Sequence, residues 1–297
     1  MDLYKLKYFH TAAHTKNFSE AAKKCFISQS AMSQSINQLE SSLGTKLFSR
    51  SGKNIFLTES GEILLKHTLH IFDSVEKAGE EIKSLKKEMK GRVVFGTQAN
   101  IGIYLLLKSL KAWVKKYSEV NVSMKYGSQQ ECLHLLKEGV IEFALVSNPP
   151  RNTLYQEVIF AKDWWTVVCS SHHPLAKKRK VRPQDLSQYK LMVPSKNNPR
   201  QKDFFERKFE KTGAYPEILL EANDAEALKY MVIHNFGFAI LPERMIQKEL
   251  KNGLVKDLNI PEFKVEHSIV FVYLKNKNLP FLAQKFIEFL LMNKWTS

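Results

Sequence analysis

Cysteine is scarce in this chain. Cys25, Cys132 and Cys169 are the only three in 297 residues, and no two form a CxxC pair. That spacing argues against a disulfide framework and fits buried small residues in a reducing compartment. Nothing around them marks a low-pKa, reactive thiol. Uninterrupted apolar sequence is also missing: no stretch reaches the roughly 18 residues that a membrane-spanning helix needs. The opening MDLYKLKYFHTAAH has no continuous apolar core and no small-residue cleavage site, so a signal peptide is not expected and the cytoplasm is. Glycine-rich signatures are absent too. There is no GxGxxG, no phosphate loop and no GxSxG, and no acid pair with a legible geometry, so neither an enzyme nor a cofactor is expected. Histidines fall in pairs without a third ligand. His10 and His14 stand four apart, and His67 and His70 three apart, which reads as surface or core rather than metal. His172 and His173 precede Pro174 with nothing to pair as a base. Finally, negative charge is short: 30 acidic residues face 45 Lys and Arg, a net charge of +15. An excess of that size points to a polyanionic partner.

What is present begins near the amino terminus, in NFSEAAKKCFISQSAMSQSINQLE (17–40). Asn17 caps a short helix, with Glu20 placed to complete a capping box. Ala21, Ala22 and Cys25 give that helix a thin apolar side, and Phe26 and Ile27 are expected to bury the turn. Ser28 caps a second helix whose apolar side is Met32, Ile36, Leu39 and Leu43. Its other side carries Gln29, Ser30, Ser33, Gln34 and Asn37. Short amides and hydroxyls on a rigid helix are the groups that read base edges in a major groove, although a plain solvent face would look the same. A first helix over 2–14 packs Leu3, Leu6, Phe9 and Ala13 behind the pair, and Gly44 ends the second helix in a left-handed cap. Arg50–Asn54 then reads as a turn and 55–57 as a strand, a wing with Arg50 and Lys53 at its tip. Residues 1–58 hold eight cations against three carboxylates.

Thr58 opens a proline-free helix expected over 59–90. Its apolar stripe of Leu65, Leu69, Phe72, Val75, Ala78, Ile82, Leu85 and Met89 asks for a partner helix, hence a dimer. From Gly91 the rhythm changes to strands and helices in alternation. Strands are expected at 92–96, 120–126, 141–146, 164–170, 190–193, 217–221, 238–241 and 267–274. Helices are expected at 101–117, 128–138, 199–212, 224–235, 242–251 and 279–293. The fold class is therefore α/β overall, with an all-α winged helix-turn-helix in front. Trp164 and Trp165 are expected at a hinge, with one indole free to line a cleft. The basic run Lys177–Lys180 reads as a solvated loop.

In open α/β sheets, ligands bind beyond the carboxyl ends of strands, at helix N-termini. That rule selects Thr97, Gln98 and Asn100; Ser128 and Gln129; Ser147 and Asn148; and Ser195 and Asn197. All are short and neutral, and free N–H groups at the helices starting near 101 and 128 favour an anion. Helix capping alone would use the same residues.

The chain resembles the LysR-type transcriptional regulators along essentially its whole length. The resemblance is carried by Lys7-Tyr8-Phe9, Phe18-Ser19-Glu20-Ala21-Ala22, Ser28-Gln29, Leu39-Glu40, Leu43-Gly44, Leu47-Phe48-Ser49-Arg50 and Leu57-Thr58-Glu59-Ser60-Gly61-Glu62. It continues in Gly91–Thr97, His173-Pro174-Leu175-Ala176 and Gly237–Pro242. It implies a winged helix-turn-helix (1–58), a dimerising linker helix (59–90) and an effector domain (91–297). The last resembles two-lobed periplasmic binding proteins, with lobe one at 91–161 and 267–297, lobe two at 162–266, and two strands crossing between them. The resemblance further implies tetramers on inverted-repeat promoter sites in double-stranded DNA, and a small-molecule effector between the lobes. Thr97, Ser128, Ser147 and Ser195 match the family's polar turn positions one by one. The readout helix departs from the pattern: Ser30 stands where Pro is common and Gln34 where Arg is common, and 28–43 has no Lys or Arg. Phosphate attraction is therefore expected from Lys23, Lys24, Lys46, Arg50 and Lys53, and base reading from uncharged groups, with Gln29 and Gln34 favouring adenine.

Overall fold

The computed structural model describes residues 2–51, 54–84, 88–150, 152–194, 199–222 and 224–293. They divide into two compact units, 1–82 and 83–297.

In the first unit, α1 (Leu3–Thr15), α2 (Phe18–Lys24) and α3 (Gln29–Leu43) precede a two-stranded wing, β1 (Phe48–Ser51) and β2 (Asn54–Leu57), and then α4 (Glu59–Ser84). Each short helix has a side-chain cap: Asp2 accepts from the Lys5 N–H, Asn17 from Ser19 and Glu20, and Ser28 from Ala31. Phe9, Met32, Leu39 and Leu47 form the sealed centre of the core. Glycine is demanded at Gly61, where a Cβ would sit 2.2 Å from the Leu47 carbonyl oxygen. That contact lets the first turn of α4 lie directly on the chain entering the wing.

Several expectations are corrected here. Glu20 pairs with Lys24 at 3.1 Å. Leu43 is exposed, because the helix ends there and its last turn faces out. The wing is a hairpin with a first strand over 48–51 that runs into the segment read as a turn. No helix is present at 88–90, so α4 stops short of the expected 90. The largest correction is Phe26, which is 96% exposed at φ 57°. The Ile27 N–H reaches the Ala22 carbonyl and the Phe26 N–H the Lys23 carbonyl, so Phe26 occupies the left-handed position of a Schellman motif. That backbone conformation swings the ring away from the core.

The second unit contains β3 (Gly91–Thr97), α5 (Ala99–Ile101), a π-helical turn (Gly102–Leu106), α6 (Leu107–Lys116), β4 (Val120–Tyr126), α7 (Gln129–Lys137), β5 (Phe143–Ser147) and β6 (Tyr155–Ser170). It continues with α8 (Pro174–Lys177), β7 (Lys190–Pro194), α9 (Pro199–Thr212), β8 (Glu217–Ala222), α10 (Ala225–Ile233), β9 (Phe238–Pro242), α11 (Glu243–Lys251), β10 (Val255–Asp257), β11 (Val265–Leu274) and α12 (Phe281–Met292). The strands form one sheet in the order β4-β3-β5-β11-β6-β9-β7-β8, with β10 beside β6. β3 is parallel to β4 and β5, and β7 to β8 and β9. These are the crossovers that alternating strands and helices require. β6 and β11 are the two strands that pass between lobes. They pair antiparallel from Tyr155↔Leu274 to Trp165↔Val265, with a register shift at Ile269/Val270.

One core gathers around Phe95, Trp113, Phe143, Phe271 and Phe286, and another around Val167, Phe238, Ile240 and Phe263. β6 starts at 155 rather than 164 because its first half is held by β11 and its second by β9 and β10. The helix expected at 101–117 starts at 99 and contains the π turn. α8, β10 and the 3-10 turns at Pro183–Gln188 and Pro261–Phe263 are too short for a periodic signal.

A left-handed phenylalanine costs roughly 1–2 kcal/mol relative to a residue that tolerates this region. Phe26→Gly is therefore expected to raise the unfolding free energy by about 1 kcal/mol. Chemical denaturation of the full chain checks this, and a loss of stability would contradict it.

Candidate DNA-reading surface and interlobe cleft

The buried side of α3 is Met32, Ile36, Leu39 and Glu40; the opposite side presents Gln29, Ser30, Gln34 and Asn37 to solvent, with Ser33 half-buried. Ser30 is partly committed, since its hydroxyl lies 2.9 Å from that of Ser28. Gln29, Ser33, Gln34 and Asn37 hold no side-chain partner among the described residues. The backbone beneath them is fixed at both ends, by Ser28 and by Gly44 at φ 68°.

The expected phosphate contacts divide. Lys23 is exposed and without a carboxylate partner among the described residues. Lys24 is paired with Glu20, and Lys46 with Glu40 at 2.6 Å. Lys53, and the side chain of Arg50 on β1, lie outside the described residues. Glu40 has a structural task that the sequence reading missed. Its carboxylate is buried and accepts from the Leu47 N–H at 2.9 Å and the Phe48 N–H at 3.3 Å, clamping α3 to the wing. Thr58 adds to the junction by donating to the Lys46 carbonyl at 2.6 Å.

In the second unit a cavity of about 30 Å³ lies between the lobes. Gln98, Asn100 and Ser147 line it, as expected from the strand ends. The Gln98 side-chain oxygen accepts from the Ser147 N–H at 3.0 Å, and the Gln129 amide donates to the Ser147 carbonyl. Thr97 and Ser128 are turned to other work. The Thr97 hydroxyl is fully buried and donates to the Leu145 carbonyl at 2.8 Å, tying β3 to β5. Ser128 sits in a capping box with Glu131, whose carboxylate already supplies the negative charge at the start of α7. An anion at that helix, as the sequence suggested, would meet Glu131. The start of α5 differs, because Gln98 makes no side-chain cap there. Asn148 caps a strand end by accepting from the Ser268 N–H at 2.9 Å. Ser195 and Asn197 lie outside the described residues.

Asp163, Arg244, His267 and Trp165 complete the cavity, and only the tryptophan was foreseen. Trp165 stacks on His267 with ring centroids 5.0 Å apart. Asp163 accepts from the Trp164 N–H at 2.8 Å and the Arg244 N–H at 3.3 Å, so it serves the first turn of α11 from another strand. Burial pushes its carboxyl up to about 6, against the pull of those two N–H groups and the Arg244 guanidinium. Burial pushes His267 down to about 4, opposed by Glu266. The imidazole is therefore neutral at pH 7, with a buried Nδ1 that has no hydrogen-bond partner among the described residues. Elsewhere, a cavity of about 290 Å³ under α9 has Phe205, Phe209 and Ile240 in its walls, and among the described residues its charges are Glu206 and Glu210. His10 and His14 approach to 3.2 Å, but no group of three metal-ligating side chains occurs among the described residues. Burial raises the Cys132 and Cys169 thiols to about 11 and about 12, the setting of inert cysteines.

Comparison with known proteins decides what this pairing of units is. Residues 3–62 match the bacterial regulatory helix-turn-helix protein of the lysR family, and residues 86–294 match the LysR substrate binding domain. The chain belongs to the LysR-type regulators. Like other LysR-type regulators it is a DNA-binding transcription regulator under the control of a small-molecule effector, not an enzyme. It is 26% identical over 288 residues to the HTH-type transcriptional activator CmpR of Synechocystis, covering 97% of this chain and 94% of that one. It is also 26% identical to a probable RuBisCO transcriptional regulator of Thalassiosira pseudonana, over 91% and 90% of the two chains. Full-length CbnR in complex with its target DNA shares the fold at a TM-score of 0.76 and 23% identity, covering 98% of this chain and 99% of that one.

Within this LysR-type effector domain, Asp163 and His267 have opposite pH signatures. The share of stability tied to Asp163 is whole below its ordinary value of 3.8 and is lost as pH rises through about 6. That tied to His267 is whole above 6.5 and is lost as pH falls through about 4. The two slopes oppose each other across that window. Asp163→Asn keeps an acceptor for both N–H groups and removes the buried charge. Its advantage over the parent protein is expected to grow by about 2 kcal/mol between pH 4.5 and 7.5. Denaturant titrations at both pH values check this; a difference independent of pH would contradict it.

Proposed function

We propose that this regulator reads its promoter half-sites with the uncharged side of α3 and takes its signal from a small anion between the lobes. The observation that carries the reading is the sidedness of α3: exposed Gln29, Ser30, Gln34 and Asn37 opposite buried Met32, Ile36 and Leu39, with no cation in the helix. Gln29 and Gln34 can each pair with an adenine edge, worth about 1–3 kcal/mol of discrimination. Asn37, Ser33 and Ser30 complete the reading set, and A·T-rich half-sites follow. Lys23, Lys24, Lys46, Arg50 and Lys53 are assigned to the phosphates. Lys24 and Lys46 would have to share their carboxylate partners with DNA, so Lys23 carries more than its neighbours.

The effector is assigned to Gln98, Asn100, Ser147 and Ser195, with Thr97 and Ser128 holding the turns beside the first three. The start of α5 favours an anion because its N–H groups have no side-chain cap, and Arg244 supplies a positive charge across the cleft. The functional division is a winged helix-turn-helix (1–58), a linker segment (59–90) that contains α4, and an effector domain (91–297). Dimerisation is assigned to α4, whose Ile63, Leu69, Val75 and Ile82 are exposed within their own unit. A second copy of the same helix would cover them, and pairs of such dimers would meet an inverted repeat as tetramers. Acting on promoter DNA places the protein in the cytoplasm; among the described residues no helix is long and apolar enough to cross a membrane.

Selection from random duplexes tests the reading. A·T-rich half-sites in inverted repeat are expected, and Gln34→Ala is expected to relax one position of the motif with a loss of about 1–3 kcal/mol there. G·C-rich half-sites, or an unchanged motif, would contradict it.

A further inference from the structure

Lys229 is the most deeply buried cation among the described residues, at 3% exposure. It lies on α10, in lobe two, where a lysine would ordinarily face water. Its ammonium has three N–H bonds and three acceptors: Glu226 at 3.0 Å, Glu249 at 3.2 Å, and the hydroxyl of Tyr104. The two carboxylates belong to lobe two. Tyr104 belongs to lobe one and reaches across the cleft it also lines. The ring of Tyr104 lies 5.0 Å from the ammonium, and that of Tyr230 lies 5.4 Å away.

Local geometry explains how Tyr104 arrives there. It sits in the π turn 102–106, where the wider turn re-aims side chains relative to a regular helix. Burial by itself lowers the Lys229 pKa, but Tyr104 and Glu226 outweigh it and the pKa is raised. Burial, and then Glu226, push the Tyr104 hydroxyl up to about 12, so the phenol stays protonated and its lone pair accepts. One oxygen each of Glu226 and Glu249 is buried without a hydrogen-bond partner among the described residues. The cluster is therefore rich in acceptors and short of donors, which makes the ammonium costly to withdraw. The one acceptor that can leave when the lobes part is Tyr104.

We propose that Tyr104 and Lys229 are positioning residues that latch the lobes, so that an effector changes the lobe separation by acting on the Tyr104 ring. This deepens, and rests on, the reading of the cleft as the effector site. Cleft occupancy and the interlobe bond share one side chain. A ligand larger than the 30 Å³ cavity has to displace lining side chains, and the Tyr104 ring is the one among them that also carries, among the described residues, the lobe-one acceptor on Lys229. The change in lobe separation is bounded by how differently the ligand binds the latched and unlatched states.

Interlobe distance measures the latch without effector or DNA. Spin labels at Lys137→Cys on α7 and Lys211→Cys on α9, with Cys25→Ser, report it in the full-length protein diluted with unlabelled copies. The parent protein is expected to give one narrow distance. Tyr104→Phe, which removes a single oxygen, is expected to raise the population at longer distance roughly tenfold. So is Lys229→Met combined with Glu226→Gln and Glu249→Gln, which leaves no buried charge alone. Tyr230→Phe, whose ring flanks the same ammonium from within lobe two, is expected to leave the distribution unchanged. Distributions that match the parent in both latch variants, or an equal change in Tyr230→Phe, would overturn the proposal. The DNA selection experiment can fail without moving this distance, and the reverse also holds.

Discussion

The buried carboxylate of Glu40 is the constraint on which the DNA-reading unit depends. It takes two backbone N–H groups of the chain entering the wing and the ammonium of Lys46, and it stands at the end of the helix that carries the reading surface. An unpaired carboxylate at that depth would cost several kcal/mol, so the three donors and the carboxylate hold each other in place. The consequence is rigidity between α3 and the wing. The amides proposed to face the bases and the cations proposed to face the phosphates can then meet one duplex in one register, instead of adjusting separately. Gly61 and Thr58 extend the same junction to α4, which makes the linker helix a continuation of the reading unit rather than a loose tether.

The effector domain solves a different problem, since its two lobes must be joined and yet able to move. Two long strands, β6 and β11, carry the join, and their shared register shift lies where the lobes meet. Around this seam the molecule places titratable groups that cannot be freely hydrated: Asp163 with its raised pKa, a neutral His267, and Lys229 held by carboxylates and a tyrosine. Helix starts are managed with the same economy. Glu131 occupies the start of α7 and Asp163 serves that of α11, whereas α5, which begins at the cleft, has no side-chain cap.

Local patterns made much of this legible. Met32, Ile36 and Leu39 at helical spacing marked the buried side of α3, and Gly44 marked its end, because periodicity and a left-handed cap are written in neighbouring residues. The alternation of strands and helices after Gly91 was legible for the same reason. Phe26 was not, because an apolar residue gives no sign that its backbone will turn left-handed. The first wing strand was hidden by its own turn residues. Of the cleft, Gln98, Asn100 and Ser147 followed from the rule that ligands gather at strand ends. Asp163, Arg244 and His267 did not, since each comes from a different strand or helix and is brought in by sheet order alone. Tyr104 and Lys229 are 125 residues apart in the chain, and neither sits in a recognisable motif.

The claim at the centre is that discrimination between sequences comes from uncharged groups, while cations outside α3 supply attraction to any duplex. The direct measurement is the ratio of affinities for the selected site and for a scrambled duplex of equal length, followed from low to high salt. Both affinities should fall steeply and in parallel as counterion release weakens, with their ratio nearly constant. A ratio that collapses toward one as salt rises would mean that charge, not the amide surface of α3, tells one sequence from another.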